Sequence, residues 1–338
     1  MAVATPTPAP SNRRVVLYLV VLAAFLPEAI TGSTPPLGWL NPFLVGLLLW
    51  LYGSGVLVCR ELAVRWRAGW PGVLLLGAAY GIVEEGLTVK TMFDPLSLVV
   101  GDLGWYGHWA GVNWVWTVWL MIFHAAFSIA FPIFVIEWRW PALRGRALLS
   151  TRGLTLAIAL LAGVAVLGQA VLTPYRPGVP ELAGAVAAIL LLTWAAKGWA
   201  ARHWERVPSG RLLPRPAYAI AGFAFFGLSF LVYAGGPALG GLPLITFVEG
   251  GLLLAAALLL LRRASGRPDA ERHVFAFVAG AIGFFALFAM ILELAGKTGM
   301  SVVGIGFVLL VIWLYRKRAR DVPAMTLSPP AVPAQRLY

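Results

Sequence analysis

Cysteine is almost absent from these 338 residues. Cys59 stands alone, which excludes an intramolecular disulfide and leaves redox or cysteine-metal chemistry without a second thiol. Charge is scarce as well: Asp, Glu, Lys and Arg make up 12% of the chain, with 14 acids against 26 bases, and there are only four histidines. No Walker loop, dinucleotide fingerprint or H-E-x-x-H run occurs, so the usual phosphate, nicotinamide and zinc-peptidase signatures are missing.

Apolar residues fill the space that charge leaves. They make up 60% of the chain and raise its mean hydropathy to +0.83, which excludes an ordinary soluble domain. Windows of about 17 to 25 apolar residues give ten candidate spans, near 14–30, 42–59, 71–90, 113–136, 153–172, 182–200, 216–233, 242–261, 273–294 and 300–315. Transmembrane strands would be shorter and alternate with period two, so the expected fold class is all-α, a polytopic membrane helix bundle. An amino terminus in the cytoplasm places all but three of the 26 basic residues in inner segments, the exceptions being Lys90, Arg176 and Lys297. The positive-inside rule then predicts that both termini are cytoplasmic, and the expected location is a prokaryotic plasma membrane. Arg13-Arg14 before an apolar run imitates a signal peptide, but no small-x-small cleavage site precedes Pro27-Glu28, so this run is expected to remain as the first span. The net charge of +12 is divided among short inner segments, which predicts contact with the lipid bilayer and its anionic headgroups and no nucleic-acid binding.

Pro/Ala-rich stretches at 1–12 and 321–338 predict disordered tails. Polar residues concentrate in spans one to four, so segment 13–147 is expected to carry the functional site and 148–320 to act mainly as scaffold. The long outer segment 91–112 carries Trp105, Tyr106 and Trp109, which suit a membrane interface, and glycines that permit a tight or re-entrant path.

Glu84 and Glu85 stand side by side in PGVLLLGAAYGIVEEGLTVK, and His124 follows on the next span in WLMIFHAAFSIAF. Ionisable groups inside a bilayer are expensive and default to function. Helical rise puts Glu84 roughly 20 Å from the inner boundary and His124 roughly 12 to 15 Å deep from the outer one. Helical spacing aligns Tyr80, Glu84, Thr88 and Thr91 on one face, and Asn113, Thr117, His124 and Ser128 on one face of the next span. Two such stripes could enclose a wet cavity. Glu85, rotated about 100° from Glu84 on an α-helix, is expected to leave one carboxylate facing the stripe and the other facing a different helix. The candidate catalytic residues are therefore Glu84, Glu85 and His124, and the candidate substrate-binding residues are Tyr80, Thr88, Asn113, Thr117, Ser128 and Glu249. Lys90 either snorkels, neutralises Glu85 or holds an anionic substrate; Glu28 and Glu293 read as solvated at the outer interface. A carboxylate out of water suits a general base or proton carrier, and an imidazole can hold a proton, orient water or ligate a metal. The sequence names no cofactor and leaves metal binding open.

GIVEEGLTVK followed by a histidine on the next span resembles the CAAX-protease and bacteriocin-processing (Abi) family of intramembrane peptidases, whose motifs are E-E-x-x-x-R, then F-x-x-x-H, then a later histidine. The resemblance implies a membrane-embedded, water-activating site with Glu84 or Glu85 as base and His124 as partner. Val89 occupies the motif arginine position, with Lys90 one residue later, Leu120 occupies the phenylalanine position, and no later span supplies the last histidine. Expected functions are an intramembrane peptidase-like hydrolase acting on a membrane-embedded peptide or small molecule, a proton-coupled transporter or permease, or a non-catalytic membrane assembly protein.

Overall fold

A computed structural model describes residues 10–200, 202, 211–267 and 269–321. Residues 1–9 and 322–338, where tails are expected, lie outside the described residues, as does His203. Nine helices among the described residues are long and apolar enough to cross a membrane: α1 (Asn12–Thr31), α2 (Pro42–Arg65), α4 (Trp114–Arg139), α5 (Thr151–Leu172), α6 (Val179–Ala200), α7 (Arg215–Ala238), α8 (Pro243–Ala264), α9 (Ala270–Leu294) and α10 (Met300–Asp321). Helix α3 (Gly69–Ile82) supplies the tenth expected span, since its 14 α-helical residues continue as six residues of π-helix over Val83–Thr88. The only strands among the described residues are the two-residue pair His108–Trp109 and Val112–Asn113 in the loop before α4. The fold is thus an all-α, multi-pass membrane bundle.

Local chemistry sets the helix ends. Asn41 accepts hydrogen bonds from the Phe43 and Leu44 amides, with Pro42 at the first helical position of α2, and Ser150 caps α5 through the Gly153 amide. Gly32, at φ 68°, closes α1 in the left-handed conformation.

Helices α5 and α6 pack on α2 and α3, α7 to α10 form a second group around α7 and α9, and α1 and α4 touch both groups. Lipid offers little hydrophobic drive for helices to associate, so close backbone approach matters. Gly222 and Gly280 provide it between α7 and α9: a Cβ at Gly222 would strike the Phe277 carbonyl, and one at Gly280 the Ala219 carbonyl. Aromatic rings fill the seam with α4, where Phe127 lies 4.8 Å from Phe226 and 4.6 Å from Phe285. The arginine-rich ends are tied by polar contacts, those of Arg60 buried. Arg60 reaches the Glu137 carboxylate at 3.3 Å and donates to the Leu143 carbonyl at 2.7 Å, while Arg144 and Arg318 both pair with Glu271.

Candidate functional site

The acid pair and the histidine meet between α3 and α4. Gly77 and Gly81, spaced as in a G-x-x-x-G dimerisation motif, let α3 lie against α4: a Cβ at Gly77 would come within 2.7 Å of Ala125 Cα, and one at Gly81 within 3.3 Å of His124 Cβ. Gly55 on α2 similarly makes room for the Tyr80 ring. Both polar segments are π-helical, over Val83–Thr88 and His124–Ala130. The i→i+5 pattern is visible in the Val89 amide donating to the Glu84 carbonyl at 2.8 Å.

This geometry corrects the expectation that Glu84 and Glu85 face different helices. His124 Nε2 lies 3.0 Å from Glu85 Oε1, and Nδ1 lies 3.2 Å from Glu84 Oε2. A π turn holds more residues than an α turn, so adjacent side chains diverge by less than the α-helical angle and both carboxylates reach one imidazole. Ser128 Oγ lies 2.9 Å from His124 Nδ1, and the Thr91 hydroxyl donates to Glu85 Oε2. Glu84, Glu85 and His124 are 5%, 8% and 2% exposed.

The other expected binding residues divide. Tyr80 lies at the centre, its ring edge-on to His124 at 6.1 Å, and its hydroxyl approaches Glu84 yet has no hydrogen-bond partner. Thr117 is buried with its hydroxyl also unpartnered. Thr88 is turned to its own helix, donating to the Val83 carbonyl at 2.9 Å. Asn113 organises the loop, donating to the Thr91 carbonyl at 2.7 Å and contacting His108 Nδ1 at 2.6 Å through its side-chain oxygen. A hydrogen-bonded route therefore runs His108, Asn113, Thr91, Glu85, His124. Beside its outer end, Gly107, His108, Trp109, Trp114, Pro243 and Phe247 line an apolar cavity of about 420 Å³. Glu249 is exposed on α8, apart from this cluster. Lys90 does not neutralise Glu85: its ammonium donates to the Gly168 and Thr173 carbonyls at 2.9 and 3.0 Å.

Two further residues belong to the surroundings of the site. Tyr52 on α2 lies with its ring 6.4 Å from His124 and donates to Glu28 Oε1 at 2.6 Å; Thr34 donates to Glu28 Oε2 at 2.7 Å. Glu28 is thus held by two hydroxyls rather than by solvent alone. A signal for Tyr52 exists in the sequence, because it stands with Ser54 inside the otherwise apolar run 42–58.

A family described as an uncharacterized membrane protein family matches residues 17–335, and the chain belongs to it. No curated protein and no solved structure matches the chain.

Proposed function

We propose that this family member is an intramembrane hydrolase, peptidase-like in its chemistry, that activates water at Glu84, Glu85 and His124. One observation carries the reading: a single buried imidazole lies 3.0 and 3.2 Å from two carboxylates, within the reach that proton transfer requires. One carboxylate takes a proton from water as the oxygen adds to a substrate carbonyl, and His124 delivers a proton to the leaving group. Thr91 holds the far carboxylate oxygen of Glu85, and Ser128 contacts the same His124 nitrogen that faces Glu84, so both groups are oriented in advance. The acid-pair resemblance to the CAAX-protease and bacteriocin-processing peptidases supports the same chemistry, with a membrane-embedded peptide or small molecule as substrate. The apolar cavity beside His108 offers such a substrate a surface near the membrane boundary.

Depth of burial favours a second reading, a proton-coupled transporter in which the same groups carry protons without touching substrate. Reconstitution into vesicles separates the two. Cleavage of a fluorogenic transmembrane peptide that falls about 10²- to 10⁴-fold in Glu84→Gln, Glu85→Gln and His124→Ala supports the hydrolase. Full cleavage in all three variants refutes the assignment, and proton flux without cleavage transfers it to the transporter. For orientation we infer cytoplasmic termini in a prokaryotic plasma membrane, from the distribution of basic residues. Cysteine labelling of the 91–112 loop from the cytoplasmic side would reverse this topology.

A further inference from the structure

We propose that Tyr52 and Glu28 form the path by which the buried acid pair exchanges its proton with the membrane boundary at the end of α1. Three helices meet along it. Tyr52 stands on α2 and is 2% exposed; its hydroxyl donates to Glu28 Oε1 on α1 at 2.6 Å and also approaches the Glu84 carboxylate, on the π segment that continues α3. Glu84 Oε2 lies 3.2 Å from a His124 nitrogen that Ser128 also engages, and it makes no hydrogen bond, so this carboxylate keeps an acceptor free. At the other end Glu28 is half-buried in the last turn of α1, with its second oxygen accepting from Thr34 at 2.7 Å. A carboxyl, a phenol and a second carboxyl thus lie in order between the site and the boundary. Chains of this kind are how protons cross apolar surroundings.

The step balances without any other reactant. When Glu84 is protonated, its O–H bond breaks as the proton passes to the Tyr52 oxygen, and the original Tyr52 O–H bond breaks as its proton passes to the Glu28 carboxylate. Tyrosine ends neutral, one proton has moved from Glu84 to Glu28, and Glu28 releases it to water. Rotation of the phenolic O–H resets the chain, and the reverse sequence brings a proton in. The groups facing Glu84 are His124, Glu85, Tyr52 and Tyr80, and those facing Tyr52 are Glu28, Glu84 and Tyr80.

The other polar contacts leading away from the site do not serve this purpose. From Glu85 the hydrogen bonds run through the Thr91 hydroxyl, but Asn113 engages the Thr91 backbone carbonyl, at 2.7 Å, before it reaches His108. A peptide carbonyl and a side-chain amide hold their positions and do not hand a proton on. Tyr80 approaches Glu84 as well, yet its hydroxyl has no further partner, so it leads nowhere. Lys90 is committed to the Gly168 and Thr173 carbonyls. The Tyr52–Glu28 chain consists of hydroxyl and carboxyl groups throughout.

The test uses the full chain, purified in detergent and held at a pH acid enough to protonate Glu84. Its carboxylic C=O band in the infrared is the one that Glu84→Gln removes, and hydrogen–deuterium exchange of that band is followed after transfer to heavy water. Tyr52→Phe and Glu28→Gln are each expected to slow exchange by about 10²-fold, whereas Tyr80→Phe and His108→Ala leave the rate unchanged. Glu28→Gln keeps an oxygen that accepts from Tyr52 and loses only the ability to take a proton, so it decides the matter if Tyr52→Phe does not fold. Exchange at the wild-type rate in these two variants overturns the path, and so does equal slowing by His108→Ala. No substrate enters the measurement, so the path stands apart from the hydrolase reading. Slowed exchange in the variants of a protein that cleaves no peptide removes the hydrolase and leaves the path; unaltered exchange in a protein that does cleave removes the path and leaves the hydrolase.

Discussion

Helices α7 and α9 meet through Gly222 and Gly280, and helices α3 and α4 through Gly77 and Gly81. In both pairs the missing side chains let backbones approach where lipid gives no hydrophobic reward. Beyond that shared device they differ. The α7–α9 pair is regular α-helix, closed over by the phenylalanine cluster at Phe226 and Phe285. The α3–α4 pair breaks its regular pattern twice, at Val83–Thr88 and His124–Ala130, and at those breaks it places two acids and a histidine. The lesson is one of division: α-helical regularity packs the bundle, and π turns redirect side chains that regular helices would send apart.

Deleting Leu87 is the most direct way to break the comparison. Returning 83–88 to α-helical register should rotate one carboxylate off His124 and reduce peptide cleavage by about 10²-fold or more. The thermal transition in detergent should survive, whereas deletion of Ile282 in α9, which has no π turn to absorb it, should abolish folding. Equal loss of folding in both variants would show that the π segment is structural.

Substituting the glycines tests the two contacts by a different readout. Gly280→Leu drives a side chain into backbone and should destabilise by about 1–3 kcal/mol or more, seen as a lower melting temperature with unchanged activity per folded molecule. At Gly55 the obstacle is instead the Tyr80 ring. Gly55→Ala should therefore lower the melting temperature and also lower kcat per folded molecule, because Tyr80 is displaced from beside Glu84. A large stability loss without an activity change would place Tyr80 among the packing residues.

The smallest effect is expected at Ser128. Ser128→Ala removes one hydrogen bond to His124, which at about 0.5–1.5 kcal/mol corresponds to a several-fold fall in cleavage, with no effect on the α7–α9 packing. No change in the rate would mean that the imidazole is oriented by the two carboxylates alone.

Hydropathy was enough to locate the nine helices among the described residues that are long and apolar enough to cross a membrane, because lipid forces backbone groups into helices and leaves a period-independent apolar run in the sequence. The same cost of charge in lipid made Glu84, Glu85 and His124 visible. Their relative directions were not legible, since a 3.6-residue repeat was applied across segments that do not follow it. That error also affected Thr88, aligned with Glu84 by the α-helical count but bonded to Val83 in the structure. Tyr52 escaped notice and Glu28 read as solvated because their relation spans two helices, and a one-dimensional stripe contains no inter-helix distances. Arg60 read simply as a topology signal; its second role, joining Glu137 and the Leu143 carbonyl in a buried network, required the third dimension. Gly77 and Gly81 were legible as a spacing, and with the acids three and four residues beyond Gly81 they would have pointed to the α3–α4 contact.

Lys90 sets an order of events during synthesis. Its buried ammonium is held by the carbonyls of Gly168 and Thr173, residues translated about eighty positions later. Until α5 has been made and inserted, a lysine at this position lacks the two carbonyls that hold it, so its ammonium is expected to remain at the aqueous boundary. The nascent chain therefore carries both acids and the histidine past the insertion machinery before their surroundings can close. Ribosome-bound chains ending after α4 should leave Lys90 open to amine-reactive reagents, and chains extended beyond α5 should protect it.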